Sequence, residues 1–118
     1  MKKDNKFRKW VLGMTGFINI AVAELHELMD KSDVQLVDVR TDAEIARGRI
    51  KGAICMPLHL LPLRLNELNG AKTTVFYCQM GGRSAQAAAF AAAQGLKGAA
   101  NLQGGILAWA QSGGEIVA

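Results

Sequence analysis

The chain is short of the residues that most often announce chemistry. Among its 118 residues are only two cysteines, Cys55 and Cys78. They form neither a CxxC redox pair nor the framework of a disulfide-stapled secreted domain. The two histidines, His26 and His59, lack metal-ligand spacing, and no zinc-finger spacing occurs. There is no internal repeat and no low-complexity linker. No apolar run is long enough to span a bilayer: VLGMTGFINIAVA is interrupted by Gly13, Thr15, Gly16 and Asn19. Stable membrane insertion is therefore not expected. The formal net charge is +4, but Lys2, Lys3, Lys6, Arg8 and Lys9 crowd the first positions. Without them the balance is nearly neutral, and no aromatic-rich basic stripe remains to bind nucleic acid.

What is present is apolar substance. Half the residues are hydrophobic, enough for one domain to build a core without metal or disulfides. The expected layout is a flexible or vector-derived basic arm over residues 1–16 and a single domain over 17–118. A charged start followed by AVA also resembles a signal peptide, which leaves export as the alternative to a cytoplasmic location. Cleavage after Ala23 would remove the first strand.

Short strands and helices alternate along the domain. Strands are expected at Phe17–Ile20, Val34–Val39, Ala53–Met56, Thr73–Tyr77 and Ala99–Leu102. Helices are expected at Ala23–Asp30, from Thr41 or Asp42 to Ala46, at Leu58–Leu68, Ser84–Gln94 and Gly104–Ala110. Pro62 must lie in the first turn of the third or kink it. Ala85, Ala88, Ala89 and Ala92 offer a small-residue face for close packing on the sheet. This order predicts an α/β fold with a mostly parallel five-stranded sheet and helices on both faces. In such sheets ligands bind beyond the carboxyl ends of the strands, where Cys78 falls.

Cys78 opens the loop YCQMGGRS. Gly81 and Gly82 allow positive φ, so the main-chain N–H groups can turn inward as an anion nest. Ser84 begins a helix, whose first amides add positive potential, and Arg83 adds a full charge. All three favour a thiolate. Free cysteine is also often an inert buried residue, but the Gly-Gly-Arg-Ser sequel has no purpose in that reading. Cys78 is thus the candidate nucleophile, with Gln79, Met80, Gly81, Gly82, Arg83 and Ser84 as the substrate-binding loop.

These residues resemble the rhodanese, or thiosulfate sulfurtransferase, family in its single-domain form. Cys78-Gln79-Met80-Gly81-Gly82-Arg83 is similar to that family's active-site loop, C-x-x-G-x-R. Leu36-Val37-Asp38-Val39-Arg40 with Glu44, Gly48-Arg49-Ile50-Lys51-Gly52-Ala53-Ile54 with Pro57, and Asn101-Leu102-Gln103-Gly104-Gly105-Ile106 with Ala108-Trp109 resemble three further signatures in order. Arg49 replaces a frequent histidine and Ile45 a frequent aromatic residue, both away from the loop. The resemblance implies a rhodanese-like fold and a Cys78 persulfide. It implies a thiosulfate-like donor, a thiol or cyanide acceptor or a protein sulfur acceptor, and no cofactor or metal. A persulfide carrier without turnover is the alternative. A cysteine phosphatase is a third reading, disfavoured because those enzymes carry a loop one residue longer.

Other residues have two readings each. Asp38 and Arg40 either support the loop or form a structural ion pair, the latter preferred. Cys55 is a resolving thiol or, by preference, a buried strand residue. His59 lines the site or, by preference, faces solvent. Met80 meets an acceptor or fills a gap. His26 is expected on the surface and Trp109 in the core.

Overall fold

The computed structural model describes residues 16–31 and 34–118. Of the arm expected over 1–16, residues 1–15 lie outside the described residues. Among the described residues, seven strands follow in chain order: β1 Phe17–Ile20, β2 Val34–Asp38, β3 Arg49–Ile50, β4 Ile54–Cys55, β5 Thr73–Tyr77, β6 Ala99–Leu102 and β7 Ile116–Val117. The α-helices are α1 Val22–Asp30, α2 Asp42–Ala46, α3 Leu61–Arg64, α4 Gly82–Ala93 and α5 Gly105–Gln111. Five strands form one sheet in the order β1-β6-β5-β2-β4, and every pairing in it is parallel.

Alternation along the two central strands builds two cores. Leu36, Val75 and Tyr77 face one way, joining Leu25 of α1 and Ile106 and Trp109 of α5. Val37, Phe76 and Cys78 face the other way, joining Leu61 of α3 and Ala87, Ala88 and Ala91 of α4. Both faces of the sheet are thus covered, as a parallel sheet requires. Cys78 continues the period-two pattern of β5 onto the α4 face.

Three expectations change. The helix over 58–68 is broken into a 3-10 turn at Leu58–Leu60, α3, and a second 3-10 turn at Leu65–Glu67. Pro62 sits in the first turn of α3 and has no N–H to extend a preceding helix. The antiparallel pair β3–β7, with Arg49 opposite Val117 and Ile50 opposite Ile116, is too short to leave a pattern in sequence. The small-residue face of α4 is Ala87, Ala88 and Ala91, not the set beginning at Ala85. The reason is Ser84: it points inward beside Cys78, and positions three, four and seven residues later share its face.

Candidate active site

Helix α4 starts two residues earlier than expected, and this shapes the loop. Only Gly81 takes positive φ, at 116°, as the N-cap; Gly82 is the first helical residue. The chain therefore turns once and enters the helix, leaving its first amides directed at Cys78. The Gly81 amide donates to Cys78 Sγ at 3.0 Å, and Ser84 Oγ lies 3.3 Å from the same sulfur. The sulfur is nearly sealed, at 2 % exposure for the residue. Burial pushes its pKa up. The Ser84 hydroxyl and the amides of Ser84, Gly81 and Met80 outweigh that, and the net direction is below an ordinary thiol. The largest compensating groups are neutral dipoles, and Arg83 adds a coulombic attraction to them.

The carbonyl side of the loop is fixed from α5. Ile106 N donates to Cys78 O at 2.9 Å, and Leu107 N to Gln79 O at 3.2 Å. Such close approach requires glycine at 105. A Cβ there would stand 2.5 Å from both carbonyl oxygens, and its φ is +59°. With its carbonyls held outward by α5, the loop's N–H groups are left facing in.

Arg83 has a partner that was not anticipated. Nη1 and Nη2 donate to the two Glu44 carboxylate oxygens at 2.6 and 2.9 Å. The guanidinium pulls the Glu44 pKa down to about 2 against a partial opposing effect of burial. Glu44 also caps its own helix, accepting from Thr41 N at 3.1 Å, while Thr41 Oγ1 accepts from Glu44 N at 3.3 Å. The bidentate fork expected to await an anion is thus already held by a carboxylate. The sequence signal existed: Glu44 closes the stretch that begins at Leu36, but no partner could be assigned to it.

Asp38 and Arg40 form a buried pair at 2.7 Å. Arg40 Nη2 also donates to Gly48 O at 2.7 Å, and its guanidinium lies over the Tyr77 ring at 5.7 Å. These contacts tie the end of β2 to β3 and β5; none is to residues 78–84. The structural reading of the pair fits this geometry better than direct support of the loop. Met80 is 69 % exposed, so it fills no gap. Gln79 and His59 are exposed as well. His59 shares a cleft of about 290 Å3 with Arg83, Val39, Thr41, Pro57 and Leu58. A second cleft of about 340 Å3 is lined by Glu44, Arg40, Arg47, Gln79, Leu107 and Ile116. The Glu44–Arg83 pair thus has one partner on each opening.

Cys55 and Cys78 are both free. Cys55 is opposite Asp38 and Asp38 is opposite Tyr77, so Cys55 and Cys78 are about two strand spacings apart, roughly 9.5 Å. That exceeds disulfide reach. His26 is exposed but stacks on Trp109 at 4.6 Å, and Trp109 is a core anchor whose Nε1 donates to Glu115 O.

Residues 21–112 match the Rhodanese-like domain family. The chain belongs to the rhodanese family. It is 50 % identical over 91 residues to a sulfurtransferase of Allochromatium vinosum, covering 77 % of this chain and 85 % of that one. It is 33 % identical over 110 residues to the human thiosulfate:glutathione sulfurtransferase, covering 81 % and 96 %. Among solved structures, a Rhodopseudomonas palustris protein described as a possible tyrosine phosphatase superposes with a TM-score of 0.77 at 33 % identity, covering 86 % and 85 %. The relatives named as sulfurtransferases support sulfur transfer in general for this rhodanese domain. Among the described residues no helix is long and apolar enough to cross a membrane.

Proposed function

We propose that the protein is a thiosulfate-type sulfurtransferase working through a persulfide on Cys78. The Cys78 thiolate attacks the outer sulfur of thiosulfate. A new S–S bond forms, the donor's S–S bond breaks, and sulfite leaves with its electron pair. The enzyme is left with a persulfide anion. A thiolate or cyanide then attacks the outer sulfur, takes it as a new persulfide or thiocyanate, and returns the Cys78 thiolate. Net charge is conserved in each half-reaction, and the two together predict ping-pong kinetics.

The observation carrying this reading is a sealed sulfur facing the Gly81 amide at 3.0 Å. Amides already aimed at the anion need no reorganisation when its charge moves to a second sulfur. Gln79, Met80, Gly82 and Arg83 complete the wall of the loop. Arg83 meets the donor as half of an ion pair, so a dianion must share it with Glu44. Met80, exposed on the rim, offers an acceptor an apolar contact.

The phosphatase description of one structural relative gives the rival reading a footing. It needs a general acid for the leaving group. Glu44, the carboxylate paired with the loop arginine, is held ionised down to about pH 2 and cannot fill that role near neutrality. Thiosulfate:cyanide turnover tests the proposal. Thiocyanate formation that Cys78→Ser abolishes is expected. Hydrolysis of aryl phosphate without thiocyanate would transfer the protein to the rival class. Sulfur uptake only from a partner's persulfide would make it a carrier.

A further inference from the structure

Ser84 has one hydroxyl proton and two claimants. Its Oγ is 3.3 Å from Cys78 Sγ and 2.6 Å from Asn101 Oδ1. Asn101 in turn donates through Nδ2 to Asn19 Oδ1 at 3.0 Å. Ser84 is fully buried and Asn101 is 4 % exposed, whereas Asn19 reaches solvent. With the proton on the Asn101 side, the Ser84 oxygen presents lone pairs to the sulfur. That suits an S–H donor. A sulfur anion needs the proton itself, and Asn101 Oδ1 would then face a second acceptor at 2.6 Å.

One rearrangement satisfies every group. Amide oxygen and nitrogen are nearly the same size, so a half-turn of the Asn101 amide changes no packing. Nδ2 then donates to Ser84, Ser84 donates to the sulfur, and Oδ1 accepts from an Asn19 amide turned the same way. The outer turn occurs at the surface. We propose that Asn101 and Asn19 form a reversible amide relay that positions the Ser84 hydroxyl, its direction reversing with the charge on the Cys78 sulfur. No covalent bond changes, and the chain has a donor for every acceptor in either direction. Asn101 and Asn19 are positioning residues, acting only through Ser84.

The charged groups around Cys78 are separate from this chain. Arg83 of α4 senses both Cys78 and Asp38. Glu44 of α2 pairs with Arg83, and Arg40 pairs with Asp38. Asp38 ends β2, Arg40 and Glu44 follow it, and Arg83 reaches from the first turn of α4 to Glu44, whereas Asn101 and Asn19 lie on β6 and β1, on the other side of β5 from β2.

The relay rests on the reading of Cys78 as nucleophile only for its effect on turnover; sulfur ionisation is measured without any sulfur donor. The test is the pH dependence of iodoacetamide alkylation at Cys78 in a Cys55→Ser background. The solvent contains about 1 M salt, where the Debye length is about 3 Å and an added surface charge is screened. Asn19→Asp places two acceptors at an exposed position. It holds Asn101 Nδ2 outward and draws the Ser84 proton away from the sulfur. At a pH well below the midpoint the thiolate fraction should fall roughly threefold to tenfold, the worth of one hydrogen bond. In a Ser84→Ala background the same substitution should change nothing. An unchanged profile for Asn19→Asp overturns the relay. An equal fall in both backgrounds also overturns it, since the added carboxylate would then act by its field. As a second readout, the side-chain amide resonances of Asn101 should titrate with the alkylation midpoint; resonances constant through that midpoint overturn the relay.

Discussion

Arg83 and Glu44 form a bidentate ion pair across the mouth of the Cys78 loop, with contacts of 2.6 and 2.9 Å. The cation expected to attract an anionic donor is therefore half-neutralised before any donor arrives. Glu44→Gln should release it. The KM for thiosulfate should fall severalfold, with kcat changed by less, because the gain is in binding and not in the transition state alone. Steady-state kinetics at fixed ionic strength decide this; an unchanged or higher KM would mean that Glu44 holds Arg83 in its productive place.

The same pair sets an acid-sensitive increment of stability. Glu44 titrates at about 2 in the fold, against an ordinary 4.5. A depressed carboxylate stabilises the fold above its unfolded pKa, and that contribution is lost as pH falls toward the folded value. The pair is partly exposed, so its worth is about 0–1 kcal/mol at neutral pH. Urea unfolding of wild type and Glu44→Gln should differ above about pH 4.5 and converge toward pH 2.

Asp38→Ala should damage stability far more than chemistry. It leaves the Arg40 guanidinium buried beside the neutral Gly48 carbonyl and Tyr77 side chain with its carboxylate partner gone, a loss of about 3–5 kcal/mol for a broken buried pair. Chemical denaturation should show that loss. The alkylation midpoint of Cys78 in the folded fraction should stay in place.

Gly105→Ala should do the reverse of a general destabilisation. Its Cβ would collide with the carbonyl oxygens of Cys78 and Gln79, so the loop itself must move. Gly113 has a similar φ, +88°, but open space around it. Gly113→Ala should carry only the backbone cost of about 1–2 kcal/mol. Activity per folded molecule should therefore drop at least about tenfold for the first, a loss of roughly 1.4 kcal/mol in transition-state binding, and hold for the second.

The apolar run of β2, the β-branched and aromatic run of β5, the helical spacing of α1 and the helix-forming run of α4 were legible in sequence, because those elements are long enough to show a local composition or period. From them followed the parallel sheet and the position of Cys78 at its rim. The β3–β7 pair was not legible, since two residues make no period. Pro62 announced a kink without saying that the segment would divide into three turns. The nucleophile stood out because Gly-Gly-Arg-Ser follows it directly. Its supports did not: Glu44, Asn101, Asn19 and Gly105 are distant in sequence, and only the parallel order of the strands brings them to one rim. Their chemistry is pairwise, and a pair has no local signature when its members are tens of residues apart.

The central claim is that the amide cradle lets Cys78 carry a sulfur atom as a stable anion. Intact mass after thiosulfate treatment tests it most directly. Wild type should gain one sulfur atom, cyanide should remove it, and Cys78→Ser should gain none. No gain in the wild type, or an equal gain in Cys78→Ser, would contradict the account.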